Sequence, residues 1–154
     1  MQVNDKVADF TLQTEEDKTV HLKDYAGKPV VLFFYPRADT PGCTIEACGF
    51  RDVVKKIQQA GAVVLGISRD TPRAQKKFKE KYNLPYTLLA DVDEAVCKQF
   101  DVLKEKNMYG KKVKGIERTT FLIGPDQKLL KIFPKVKPEG HAEEVLEAVK
   151  AAHG

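Results

Sequence analysis

The feature that most constrains this chain is an uncharged apolar run, Val30-Val31-Leu32-Phe33-Phe34-Tyr35, stopped by Pro36. Successive residues of a strand point to opposite faces, so an unbroken apolar run calls for a strand covered on both sides. Val63-Val64-Leu65-Gly66-Ile67-Ser68 repeats the pattern. Between the two, Phe50, Val53, Val54 and Ile57 recur at helical spacing and Gly61 supplies a stop. The unit reads strand, helix, strand, with a right-handed parallel crossover.

The rest of the chain extends this pattern. Thr71-Pro72 offers an N-cap and a first-turn proline for a Lys-rich helix from Thr71 to Tyr82. A strand at Thr87-Leu88-Leu89 and a short helix from Asp93 to Phe100 follow. Thr119 to Ile123 and Lys128 to Phe133 flank the turn-rich Gly124-Pro125-Asp126-Gln127, and Val145, Leu146 and Val149 mark one face of a last helix, Ala142 to Ala151. Near the start, Asp9 to Leu12 and Thr19 to Leu22 bracket the polar stretch from Thr14 to Lys18, an N-terminal hairpin. A chain of 154 residues has room for one good core. The expectation is one α/β domain, residues 1–154, with a mixed central sheet flanked by helices.

Composition narrows the function classes. The longest apolar run, Pro29 to Pro36, is far below the roughly 20 residues of a membrane span, and the first six residues lack the regions of a signal peptide. A soluble, cytoplasmic protein is expected, with no membrane partner. The formal charge is +4, but the lysines are spread, as in Lys76-Lys77, Lys111-Lys112 and Lys131, Lys135 and Lys137, without a dense stripe carrying interleaved aromatics. No nucleic-acid face is expected. His21, His141 and His153 are scattered and no cysteine and histidine cluster with ligand spacing appears, so neither metal nor cofactor is anticipated. Asp91-Val92-Asp93 resembles the start of a calcium loop, yet Val96 stands where that loop needs glycine; helix capping explains it better.

The cysteines are more informative. In a reducing compartment three of them make a redox or catalytic role a better reading than a disulfide framework. The stretch Tyr35-Pro36-Arg37-Ala38-Asp39-Thr40-Pro41-Gly42-Cys43-Thr44 leaves a buried strand, turns and enters a helix, the place where open α/β sheets hold ligands. With Thr40 as N-cap and Pro41 in the first helical position, Cys43 falls in the first turn, where free N–H groups and the positive helix end favour a thiolate. Ionisation alone is a weak catalyst, because nucleophilicity falls as a thiol becomes more acidic. The larger acceleration has to come from positioned groups: backbone N–H donors, a hydroxyl such as Thr40, and a guanidinium from elsewhere in the chain. Cys97, between Val96 and Phe100, reads as apolar filler.

Pro36, Thr40 and Cys43 match the peroxiredoxin pattern of Pro, three residues, Thr, two residues, Cys. The wider string Tyr-Pro-Arg-Ala-Asp-Thr-Pro-Gly-Cys-Thr-Ile-Glu-Ala-Cys-Gly-Phe-Arg-Asp closely resembles the bacterioferritin comigratory protein, or peroxiredoxin Q, subfamily. The resemblance extends over nearly the whole chain, through Val64-Leu65-Gly66-Ile67-Ser68, Leu88-Leu89-Ala90-Asp91 and Glu117-Arg118-Thr119-Thr120-Phe121-Leu122-Ile123. It implies a thioredoxin-like fold and a thiol peroxidase acting on hydrogen peroxide and organic hydroperoxides. It further implies that Cys43 is the peroxidatic cysteine, Thr40 bonds thiolate and peroxide, Pro36 shields the pocket and Arg118 is the distant cation. Cys48 matches the resolving cysteine of the branch that carries it five residues downstream, with thioredoxin or a similar dithiol as reductant. Arg51 is a weaker candidate, equally readable as a surface pair with Asp52, and a monomer is expected. Two rival readings are a thiol-disulfide oxidoreductase, which would need a Cys-x-x-Cys motif that is absent here, and a basic binding module.

Overall fold

The structure, a computed structural model, describes residues 1–153. The apolar run becomes β3 (Val30–Phe34), and its alternation explains why every residue in it is apolar. Val31, Phe33 and Tyr35 enter one core, while Val30, Leu32 and Phe34 enter another on the opposite face of the sheet. β3 lies parallel to β4 (Val63–Ser68), reached through α1 (Pro41–Gln59), and β4 lies parallel to β5 (Thr87–Ala90), reached through α2 (Pro72–Tyr82). β8 (Thr119–Ile123) runs antiparallel to β3 and is followed by β9 (Leu129–Phe133); β1 (Thr11–Thr14) and β2 (Thr19–His21) close the other side. The seven-stranded order is β2-β1-β5-β4-β3-β8-β9.

The first core holds Phe50, Val54 and Ile57 of α1, Phe78 of α2, and Val145, Leu146 and Val149 of α4 (His141–His153), with Phe33 stacked on Phe50 at 4.6 Å between centroids. The second core lies under α3 (Ala95–Gln99), where Phe34, Phe100 and Phe121 meet edge to face or tilted. Apart from these layers stands a two-stranded sheet of β6 (Leu103–Met108) and β7 (Lys111–Ile116).

The mixed sheet, both parallel crossovers and the N-terminal hairpin agree with the sequence reading, with three differences. The first hairpin begins at Thr11 rather than Asp9, because the ladder pairs Thr11 with His21 and Gln13 with Thr19, leaving Phe10 to plug the second core. The helix expected from Asp93 starts at Ala95, because Glu94 takes a left-handed backbone (φ 66°). Asp91 caps it from upstream, accepting from the N–H groups of Val96 (3.2 Å) and Cys97 (2.7 Å). The β6–β7 hairpin was not expected at all. Its residues are mostly exposed on both faces, so no apolar alternation marks it, and its tight turn uses Tyr109-Gly110, both with positive φ (53° and 78°), in place of the usual Asn-Gly.

Candidate active site

The loop after β3 ends at Thr40, an N-cap in extended conformation, and Pro41 opens α1. This puts Cys43 in the third helical position, buried in the first core with 1% exposure. The structure departs from expectation at Thr40. Its hydroxyl caps no helix N–H, and instead donates to the Arg37 carbonyl (2.9 Å). A carbonyl only accepts, so this proton is committed, and Thr40 Oγ1 keeps only lone pairs for any further partner. The orphan N–H groups of the first turn are thereby left without a side-chain cap beside the thiol.

Arg118, immediately before β8, reaches across 75 residues of sequence to place Nη1 3.4 Å from Cys43 Sγ and 2.8 Å from Oε1 of Glu46. Glu46 sits one helical turn beyond Cys43 on the same face of α1, with its side chain fully buried. Its second oxygen, Oε2, is buried without a hydrogen-bond partner among the described residues. Burial pushes the Glu46 pKa up to about 7, against the opposing pull of Arg118. Burial also works against the Arg118 charge, but Glu46 and then Cys43 outweigh it and raise the guanidinium pKa. The cation is therefore shared between a carboxylate and the thiol sulfur.

Gly42 explains how the guanidinium gets so close. A Cβ at this position would lie 3.0 Å from Arg118 Nη2 and 3.5 Å from Pro138, so the arginine packs directly on helix backbone. From behind, the Arg118 carbonyl accepts from the Val136 N–H (2.9 Å).

The loop carrying Thr40 is pinned from two sides. Asp70 Oδ2 accepts from the Ala38 N–H (2.7 Å) and from the Ser68 hydroxyl (2.6 Å); Gln75 donates to Ser68 (3.0 Å) and accepts from Tyr35. Asp39, in a left-handed conformation (φ 61°), accepts from Lys81 (2.9 Å) and the Tyr82 hydroxyl (2.7 Å). Pro36, half-buried directly after Tyr35, opens this loop.

All three cysteines are unpaired. Cys48 is half-buried further along α1, next to Ala47, whose carbonyl accepts from the Tyr86 hydroxyl (2.6 Å). Arg51 does pair with Asp52 (3.1 Å) on the helix surface, and it also donates to the Tyr82 carbonyl (2.9 Å), tying α1 to the end of α2. Cys97 is fully buried, and burial followed by the Asp91 carboxylate pushes its thiol up, away from thiolate chemistry.

The AhpC/TSA family model matches residues 3–132. This chain belongs to that family. Its curated relatives include Peroxiredoxin Bcp of Bacillus subtilis, 44% identical over 150 residues that cover 97% of this chain and 96% of that one. Among solved structures, a cysteine-to-serine mutant of Xylella fastidiosa PrxQ superposes with a TM-score of 0.95 at 39% identity, covering 100% of this chain and 98% of that one. The Xanthomonas campestris bacterioferritin comigratory protein, whose alkyl peroxide reduction activity is described, superposes at 0.91 with 42% identity, over 94% and 92% of the two chains. The fold is accordingly the thioredoxin-like one of the peroxiredoxins, and the enzyme is a thiol peroxidase of the Bcp and peroxiredoxin Q group.

Gly42 was read only as a weak helix former, not as the seat of Arg118, and Glu46, Asp39 and Asp70 were not singled out by sequence reasoning. Glu46 could have been, because its spacing of three from Cys43 puts both on one helical face. Nothing local marks Asp39, whose partners come from α2, and the local Ser68 partner of Asp70 says nothing of its bond to the Ala38 N–H in the loop after β3.

Proposed function

We propose that residues 1–154 act as one domain that reduces hydrogen peroxide and organic hydroperoxides, with Cys43 as the peroxidatic thiol and Cys48 as its intrachain resolving partner. The single observation that carries this reading is the Arg118 guanidinium 3.4 Å from Cys43 Sγ at the first turn of α1. A cation so placed stabilises a thiolate before reaction and the negative charge on the leaving oxygen during it. The Cys43 thiolate attacks one peroxide oxygen, the O–O bond breaks, and Cys43 sulfenic acid and an alkoxide or hydroxide result; the latter takes up a proton and leaves as alcohol or water. Uncapped first-turn N–H groups suit the peroxide oxygens as donors, and Thr40 Oγ1, its own proton engaged, suits the peroxide O–H as acceptor. Pro36 shields the pocket at the loop entrance. The Cys48 thiol then displaces water from the sulfenic acid, giving the Cys43–Cys48 disulfide. Thioredoxin or a similar dithiol returns two electrons and two protons.

The proposal includes a monomer that needs no second chain for turnover and a cytoplasmic setting where such dithiols are abundant. In support of the latter stand three unpaired thiols and the fact that no described helix is long and apolar enough to cross a membrane. Mass spectrometry after one equivalent of peroxide tests the assignment. The expected product is a single intrachain Cys43–Cys48 bond; pairing through Cys97, or a covalent dimer as the main product on non-reducing gels, would overturn it.

A further inference from the structure

The β6–β7 hairpin, Leu103–Ile116, has no part in the chemistry above, yet it concentrates the charge of the molecule. It carries Lys104, Lys106, Lys111, Lys112 and Lys114 against Glu105, a net +4 that equals the formal charge of the whole chain. The remaining residues sum to zero. Register places the cations on both faces: Lys106 opposite Val113 on one, Lys112 opposite Asn107 and Lys114 opposite Glu105 on the other. Lys104 is held near Asp101 (3.5 Å), whereas Lys106, Lys111, Lys112 and Lys114 are exposed and form no ion pair among the described residues. At the tip Tyr109 is fully exposed. Its left-handed backbone (φ 53°) follows from the two-residue turn, and the ring that the turn leaves in solvent suits contact, tyrosine being enriched at interface hot spots.

Placement ties this arm to the active site. β8, which follows the hairpin, starts with Thr119 opposite Phe34, the last residue of β3, so hairpin and Cys43 loop leave the same end of the sheet. Arg69 donates to the Lys114 carbonyl (3.2 Å), and its neighbour Asp70 holds the Ala38 N–H of the catalytic loop.

We propose that the hairpin is the docking arm for an acidic protein dithiol, steering its negative surface to the end of the sheet where the Cys43–Cys48 disulfide forms. This rests on the peroxidase reading above. A thiolate of the bound dithiol attacks the disulfide, its second thiol resolves the mixed disulfide, and Cys43 and Cys48 leave as two thiols while the partner leaves as its disulfide. Lysine suits this diffuse attraction, being a point charge without the planar fork used for bidentate recognition. Nucleic acid is the poorer fit, because a single aromatic at the tip makes no stacking platform and the hairpin contains no arginine.

The test is the triple variant Lys106→Glu, Lys111→Glu and Lys112→Glu, which takes the hairpin from +4 to −2 by its formal charges. The probe is a thioredoxin of negative net charge, with neutral dithiothreitol as the reference reductant. At an ionic strength of about 0.01 M the second-order rate of recycling by thioredoxin should fall at least tenfold, shrinking to less than about twofold near 0.5 M salt. Peroxide turnover driven by dithiothreitol should stay within about twofold of the parent, which also reports folding. A control triple, Lys23→Glu, Lys28→Glu and Lys128→Glu, removes the same charge from the opposite end of the sheet, where Gly27 bonds Pro125 and Ile123 pairs with Val30. It should change the thioredoxin rate less than about threefold. Equal losses in both triples, or loss of the dithiothreitol rate with the hairpin triple, would overturn the docking role. So would an intact thioredoxin rate accompanied by lost binding to RNA or to anionic vesicles. Failure of the parent chain to turn over peroxide with dithiothreitol is a separate result, and strikes the peroxidase reading itself.

Discussion

Replacing Glu46 by glutamine should change how the stability of this protein depends on pH. Glu46 is fully buried, meets Arg118 through Oε1 alone, and has its pKa raised from an ordinary 4.5 to about 7. The folded chain therefore holds this proton more tightly than the unfolded chain does. Its contribution to stability is complete below pH 4.5 and is lost as pH rises through about 7. Over that interval, at about 1.36 kcal/mol per pH unit, the loss amounts to about 3 kcal/mol. That is a large part of the 5–15 kcal/mol by which native domains exceed their unfolded states. Glu46→Gln keeps the shape and an acceptor for Arg118 but removes the titration. Its stability relative to the parent should thus rise by about 3 kcal/mol between pH 4.5 and pH 8, on top of a constant offset for the altered ion pair. Urea unfolding of both proteins across this range, with a phosphine keeping all thiols reduced, measures the difference directly. A difference flat to within about 0.5 kcal/mol would refute the reasoning, and would mean that Arg118 holds Glu46 ionised in spite of burial.

Four further outcomes follow from the same geometry. Cys43→Ser should abolish thioredoxin-coupled peroxide consumption, while Cys97→Ser should leave it nearly intact and lower stability by about 1–3 kcal/mol through a buried hydroxyl. Arg118→Ala should lower the second-order peroxide rate by roughly 10² to 10³, measured by stopped flow, and full recovery at high pH would reduce its role to thiol ionisation. Gly42→Ala should displace the guanidinium that lies 3.0 Å from the new methyl, cutting the peroxide rate while the unfolding midpoint barely moves; an unchanged rate would show that the arginine yields without consequence. Finally, residues five apart on a helix have Cα atoms about 8.7 Å apart, whereas a disulfide needs them within about 6.8 Å. Closing Cys43 to Cys48 must therefore unwind part of α1 between them. Amide exchange over residues 42 to 49 should be faster in the disulfide form than in the reduced form, and equal protection would contradict this.

What the chain alone determined is what depends on local order. Apolar runs with strand period, prolines in first helical turns and Gly61, with its positive φ of 86°, set the parallel β3-α1-β4-α2-β5 unit and placed Cys43 in the first turn of a helix. The tertiary structure decided what depends on partners far apart in sequence. Arg118 finds Cys43 only because β8 pairs with β3, which sets Thr119 against Phe34 and carries the preceding arginine to the end of the strand that launches the catalytic loop. Glu46 looks like any surface glutamate until burial and Arg118 redefine its acidity. Thr40, a sound N-cap by residue type, donates its hydrogen bond to the Arg37 carbonyl because the loop curls back on itself. The β6–β7 hairpin is the clearest case: beyond the Leu103–Ile116 pair at its base, solvent bathes both faces and imposes no apolar period, so pairing between its strands, rather than any pattern along them, makes it a sheet.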